Sequence, residues 1–129
     1  VKTDLILNTS NYKKILEEIV QSNDIIRFAA ICNKFGSIEQ RFEKKEKSLL
    51  LSEHDTEKLA REGVSTWHYR KQLSSKIGAG QYAMAVYEKI TRLTIPLDES
   101  SILLVSLDNF ENPPKIVNSI KNIIKGKVK

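Results

Sequence analysis

Three strand-length segments stand almost end to end in the second half of the chain: QYAMAVYEK (81–89), TRLTIPL (91–97) and SILLVSL (101–107). Only residue 90 separates the first two, and only residues 98–100 the second and third. Parallel neighbours need a crossover of about a dozen residues or more, so connections this short force an antiparallel meander. Pro96 has no amide proton, which places its strand at an edge or leaves the strand's last residues unpaired. The near-continuous apolarity of SILLVSL, and of IIRFAAIC (25–32) earlier in the chain, predicts central strands buried on both faces. Such a sheet needs helices on each side.

The remaining sequence supplies them. Tyr12, Ile15, Leu16, Ile19 and Val20 recur at three- and four-residue intervals between Lys13, Lys14, Glu17 and Glu18, predicting a helix over about 10–21. IIRFAAICN (25–33) then reads as a buried strand entering a hairpin at NKFG (33–36), whose Asn and Gly suit a turn. Its partner SIEQRFE (37–43) alternates Ile38, Gln40 and Phe42 with polar residues, and the charged KKEK (44–47) ends it. Ser52, with Asp55 three positions on, predicts a capped helix start. That second helix is expected to run to about Ile77 and to close on a left-handed Gly78. Asn112 and Pro113 open a last helix, with Ile116, Val117, Ile120, Ile123 and Ile124 on its buried face. The expectation is an α+β fold in the order α-β-β-α-β-β-β-α. It has a five-stranded antiparallel sheet, the first and last helices on one face and the second helix on the other.

Composition fits one soluble domain. The 129 residues are 40% hydrophobic and 29% charged. A chain of 14.7 kDa buries about two thirds of its extended surface on folding, enough for a core without disulfides or zinc. The single Cys32 has no internal partner, and two His (His54, His68) make no metal motif, so no cofactor is expected. No apolar run approaches the length of a membrane span, and the start VKTDLILN lacks a signal-peptide pattern. A reduced, cytoplasmic protein is expected, with residues 1–125 as one domain and 126–129 as a basic tail. The net charge of +5 is local, because residues 112–129 carry Lys115, Lys121, Lys125, Lys127 and Lys129 with no acid. Without them the chain is neutral. Strand segments poor in exposed aromatics and basic residues argue against a nucleic-acid partner.

The element order resembles the Roadblock/dynein-light-chain superfamily, a profilin-like fold. It runs strand, N-x-x-G turn, strand, long helix and three-strand meander. The segment GQYAMAVYEKITRLTIPL (80–97) resembles a motif of small archaeal proteins. The superfamily resemblance implies a non-enzymatic homodimer that scaffolds or regulates small Ras-like GTPases. It also implies pairing through the second helix and third strand, here about 56–77 and 81–87. The alternative is a PAS- or GAF-like small-molecule sensor, with a pocket near Phe28, Trp67, Tyr82 and Met84.

The second helix carries the most unusual cluster, Trp67-His68-Tyr69-Arg70-Lys71. Aromatics beside arginine suit interface anchors. Trp67 also shares a helical face with Leu59, Ala60, Gly63 and Val64, and the plainer reading packs it on the sheet while Arg70 and Lys71 face water. Gly63, costly in mid-helix, suggests a close approach there. With the edge-like third strand, these features nominate Trp67, Tyr69, Arg70, Tyr82, Met84 and Tyr87 as interface residues. No nucleophile, base and acid are grouped as catalysis requires. Cys32 belongs to a buried strand, and the glycines of GAG (78–80) lack the Lys-Ser/Thr of a phosphate loop.

Overall fold

The computed structural model describes residues 11–45, 50–109 and 112–126. Its elements are α1 (Tyr12–Gln21), β1 (Ile26–Asn33), β2 (Ile38–Glu43), α2 (Glu53–Lys71), α3 (Ser74–Ile77), β3 (Ala83–Val86), β4 (Ile90–Pro96), β5 (Ser101–Asp108) and α4 (Pro113–Lys125). The five strands form one sheet in the order β2-β1-β5-β4-β3, every neighbour antiparallel. The two most apolar strands, β1 and β5, lie at its centre. The start of the chain, part of KKEK, and Lys127, Val128 and Lys129 of the expected tail lie outside the described residues.

Side-chain alternation sorts the core into two layers. Ala29, Ile31, Leu93, Ile95, Leu103, Val105 and Leu107 face α1 and α4, whose Ile15, Leu16, Ile19, Val117, Ile120 and Ile124 pack onto them. The opposite layer is smaller, with Ala60 and Val64 of α2 over Cys32, Ile102 and Leu104, and Ile38 and Trp67 at its margin. The apolar residues packed beneath α2 therefore come from β1, β2 and β5. On that same face of β3 and β4, Ala85 is exposed and Arg92 partly so.

Local chemistry sets the element ends. The Asn33 Oδ1 accepts from the amides of Phe35 and Ser37 at 2.9 and 3.1 Å, which turns the chain between β1 and β2. Gly36 there has φ +86°, and a Cβ on it would lie 2.8 Å from the Arg61 Cα, so the hairpin tip seats directly on α2. Ser52 caps α2 by accepting from the Asp55 amide, and Asn112 caps α4 by accepting from the Lys115 amide.

Three expectations need correction. The second helix does not continue to Ile77. It ends at Lys71, where Gln72 and Leu73 donate to Tyr69 and Arg70 in tightened three-residue turns before the short α3 begins. Beyond Trp67, residues 68–73 are exposed, so no buried face holds the helix straight. Gly78 has φ +92° but an extended ψ of 167°, so the chain departs from α3 rather than wrapping left-handed. The third strand is Ala83–Val86 rather than 81–89, because Tyr87 donates to the Ile90 carbonyl in a tight turn. Asn109 fastens that turn: its Nδ2 donates to the carbonyls of Tyr87 and Glu88, and its Oδ1 accepts from the Thr91 hydroxyl at 2.7 Å.

Candidate interaction site

Two surfaces hold the residues nominated from sequence. The first is the outer edge of β3, which among the described residues pairs only with β4. Tyr87 donates to Ile90, and alternation in an antiparallel ladder then turns the amides of Ala85 and Ala83 toward β4. The backbone polar groups of Met84 and Val86 consequently point outward along the edge. Their side chains are apolar and open to solvent, Met84 at 41% and Val86 at 63%, with Tyr82 and Tyr87 exposed beside them. β3 itself carries no charged residue and no proline. Such an edge is a ready template for another strand.

The second surface is a groove of about 740 Å³ at one end of the sheet. Its walls are the C-terminal part of α2 with α3, residues 78–83, the turn between β4 and β5, and the end of α4. Pro96 is its origin. The ladder between β3 and β4 ends at Ala83 opposite Thr94. The next bonded position would oppose Gln81 to Pro96, which has no amide to donate, so residues 79–82 leave β4 unpaired. Pro96 accordingly sits in an inner strand with its last residues open on the β3 side, the second of the two placements expected.

Trp67, Arg70 and Tyr82 converge on this groove. Trp67 is half-buried against the layer under α2, and a Cβ on Gly80 would lie only 3.1 Å from its ring. Tyr69 is 72% exposed, and it, Met84 and Tyr87 do not line the groove. The six nominated residues therefore divide between two surfaces. Several lining residues escaped nomination. Ile77, the expected end of the second helix, is 80% exposed and lines the groove, as do Leu73, Lys121 and Lys125. Gly63 marks no unusually close approach: a Cβ there would meet Leu104 at 3.6 Å, an ordinary contact.

The candidates for chemistry lie apart. Cys32 is fully buried, and desolvation pushes its thiol up to about 12, with Arg92 opposing and Glu39 adding to the rise. Burial lowers the Arg92 guanidinium, offset in part by Tyr87, Cys32 and Glu62. His54 is exposed at the start of α2. His68 is exposed too, and its Nε2–H donates to the Lys34 carbonyl at 3.2 Å, tying α2 to the β1–β2 turn. Among the described residues no three His, Cys, Asp or Glu are grouped to hold a metal ion, and no helix is long and apolar enough to cross a membrane. The proposed sensor pocket does not assemble. Trp67 and Tyr82 share the groove, whereas Phe28 is buried on β1 and Met84 stands on the opposite sheet face, opposite Leu93.

No protein-family model matches the sequence, and neither does any curated protein. Solved structures do match. A Roadblock/LC7 domain from Streptomyces avermitilis superposes with a TM-score of 0.70 at 8% identity, over 88% of this chain and 92% of that one. An MglB described as having a tetrameric arrangement superposes at 0.67 with 16% identity, over 99% and 100%. Schizosaccharomyces pombe profilin superposes at 0.59 with 13% identity, over 89% and 97%. At these identities the likeness is one of architecture, and by architecture the chain has the profilin-like Roadblock/LC7 fold.

Proposed function

We propose that this chain is a non-enzymatic regulatory or scaffolding module that works through protein–protein contacts as a symmetric homodimer. A small Ras-like GTPase is the partner class implied by its Roadblock resemblance. The observation carrying the proposal is the open β3 edge, where outward backbone groups coincide with exposed Tyr82, Met84, Val86 and Tyr87. A two-fold axis would pair this edge with its own copy and join two five-stranded sheets into one. In this reading Tyr69, exposed on α2 and outside the groove, is the α2 residue that meets the partner copy. The MglB structure described as tetrameric supports self-association of this fold.

Light scattering on Met84→Pro tests the dimer. The Met84 amide faces outward, so proline removes an edge donor without breaking a bond to β4. The unaltered protein is expected at about twice 14.7 kDa at tens of micromolar, and the variant at 14.7 kDa. An unaltered protein already at 14.7 kDa at that concentration overturns the proposal.

A further inference from the structure

The groove at the end of the sheet combines an apolar trough with a charged rim. Its floor and walls are apolar, built from Trp67, Leu73, Ile77, Tyr82, Pro96 and Leu97. Its rim is cationic: among the described residues, Lys34, Arg70, Lys71, Lys121 and Lys125 line it against Asp98 and Glu99. Glu99 is held 3.5 Å from Lys71 of α2, and Asp98 accepts from the Ser100 amide within the turn, so each acid has a partner already. The excess charge is therefore positive and faces an apolar trough. One wall is also backbone: among the described residues, the amides of residues 79–82 donate no backbone hydrogen bond. That wall exists because Pro96 ends the ladder.

We propose that this groove binds an acidic, leucine-like peptide segment of a partner protein, laid in extended form along residues 79–82. Backbone groups of the segment pair with the unpaired wall, as in strand addition to a sheet edge. Alternate apolar side chains enter the trough over Trp67 and Leu97. The intervening carboxylates meet Arg70, Lys71, Lys121 and Lys125, where complementary charge fixes register and raises the association rate. A concave trough with a backbone wall favours a peptide over a flat lipid surface. The proposal rests on the chain being a protein-contact module but not on the homodimer, since the groove lies beyond the N-terminal end of β3.

The test is fluorescence polarisation with a labelled ten-residue peptide alternating glutamate and leucine. Two controls replace glutamate by lysine, or leucine by serine. The expected result is saturable binding of the first peptide alone, weakened by salt, with movement of the Trp67 indole N–H resonance. Lys121 and Lys125 have partly or fully exposed side chains, so Lys121→Glu with Lys125→Glu leaves the core intact. Reversing two rim charges is expected to weaken binding about tenfold. Met84→Pro, monomeric or not, should bind as the unaltered protein does, which separates failure of the groove from failure of the dimer. Equal binding of the lysine peptide, an unmoved Trp67, or unchanged affinity in the double variant overturns the proposal. So does binding to vesicles containing phosphatidylserine without binding to the glutamate–leucine peptide.

Discussion

A thiol sealed between sheet and helix has one measurable consequence at the scale of a single residue. Cys32 is fully buried and its thiol is pushed from 9.0 to about 12. In the unfolded chain it ionises near 9.0, whereas in the folded chain it stays protonated until about 12. The raised value thus supplies stability that is fully present below pH 9 and lost as pH rises toward 12. Urea unfolding should show a loss from this group of up to about 1.4 kcal/mol per pH unit across that window. Cys32→Ala should flatten the profile by that amount, and an identical profile would show that the thiol is accessible in the folded state. The burial of Cys32 was legible because it belongs to an uninterrupted apolar strand. The Asn33 turn was legible because Asn and Gly there have a specific backbone task. Tyr69 and Ile77 were harder to place. Helical periodicity marks which residues share a face, but the extent of the sheet beneath decides which of them are covered, and that extent is a tertiary fact.

α2 shows the same division at the scale of an element. Its start is written locally, since Ser52 accepts from the Asp55 amide and the acids Glu53 and Asp55 sit in its first turn. Its end is not, because no glycine or proline stands at residues 72–73. The helix stops where its buried contacts stop, one turn past Trp67. Gly63 gives a test of how much of α2 is fixed by packing. Its Cβ position meets Leu104 at 3.6 Å and the Thr94 hydroxyl at 4.0 Å, both ordinary contacts. Gly63→Ala is therefore expected to stabilise the protein by about 0.4–1 kcal/mol, by lowering the entropy of the unfolded chain and improving helix propensity. Urea unfolding measures this directly. A loss instead would mean that Leu104 cannot yield and that α2 sits closer to β5 than the backbone allows. The meander was legible because short connections permit nothing but antiparallel neighbours. The true length of β3 was not, because the turn after Val86 is fastened by Asn109, 22 residues beyond Tyr87.

Over the whole molecule the two faces of the sheet are unequally covered, and the concentration dependence of stability tests whether a second copy makes up the difference. α1 and α4 cover their face with a large continuous layer, whereas the apolar residues packed under α2 come from β1, β2 and β5 and leave Ala85 and Arg92 of the other two strands fully or partly open. Along the adjoining edge, Met84 and Val86 carry exposed apolar side chains on the better-covered face. If a second copy completes this half of the molecule, unfolding is coupled to dissociation, and mass action requires the folded dimer to gain about 1.4 kcal/mol per tenfold rise in protein concentration. For a unit of two such chains that corresponds to a rise in Tm of about 2–4 °C per tenfold. Scanning calorimetry between micromolar and hundreds of micromolar should show the rise in the unaltered protein, while Met84→Pro should melt at one temperature throughout. A concentration-independent Tm in both would place the uncovered half of the sheet against water in the working protein. A rise that persists in Met84→Pro would move the dimer seam away from the β3 backbone and onto the exposed face of α2, where Tyr69 and Arg70 stand.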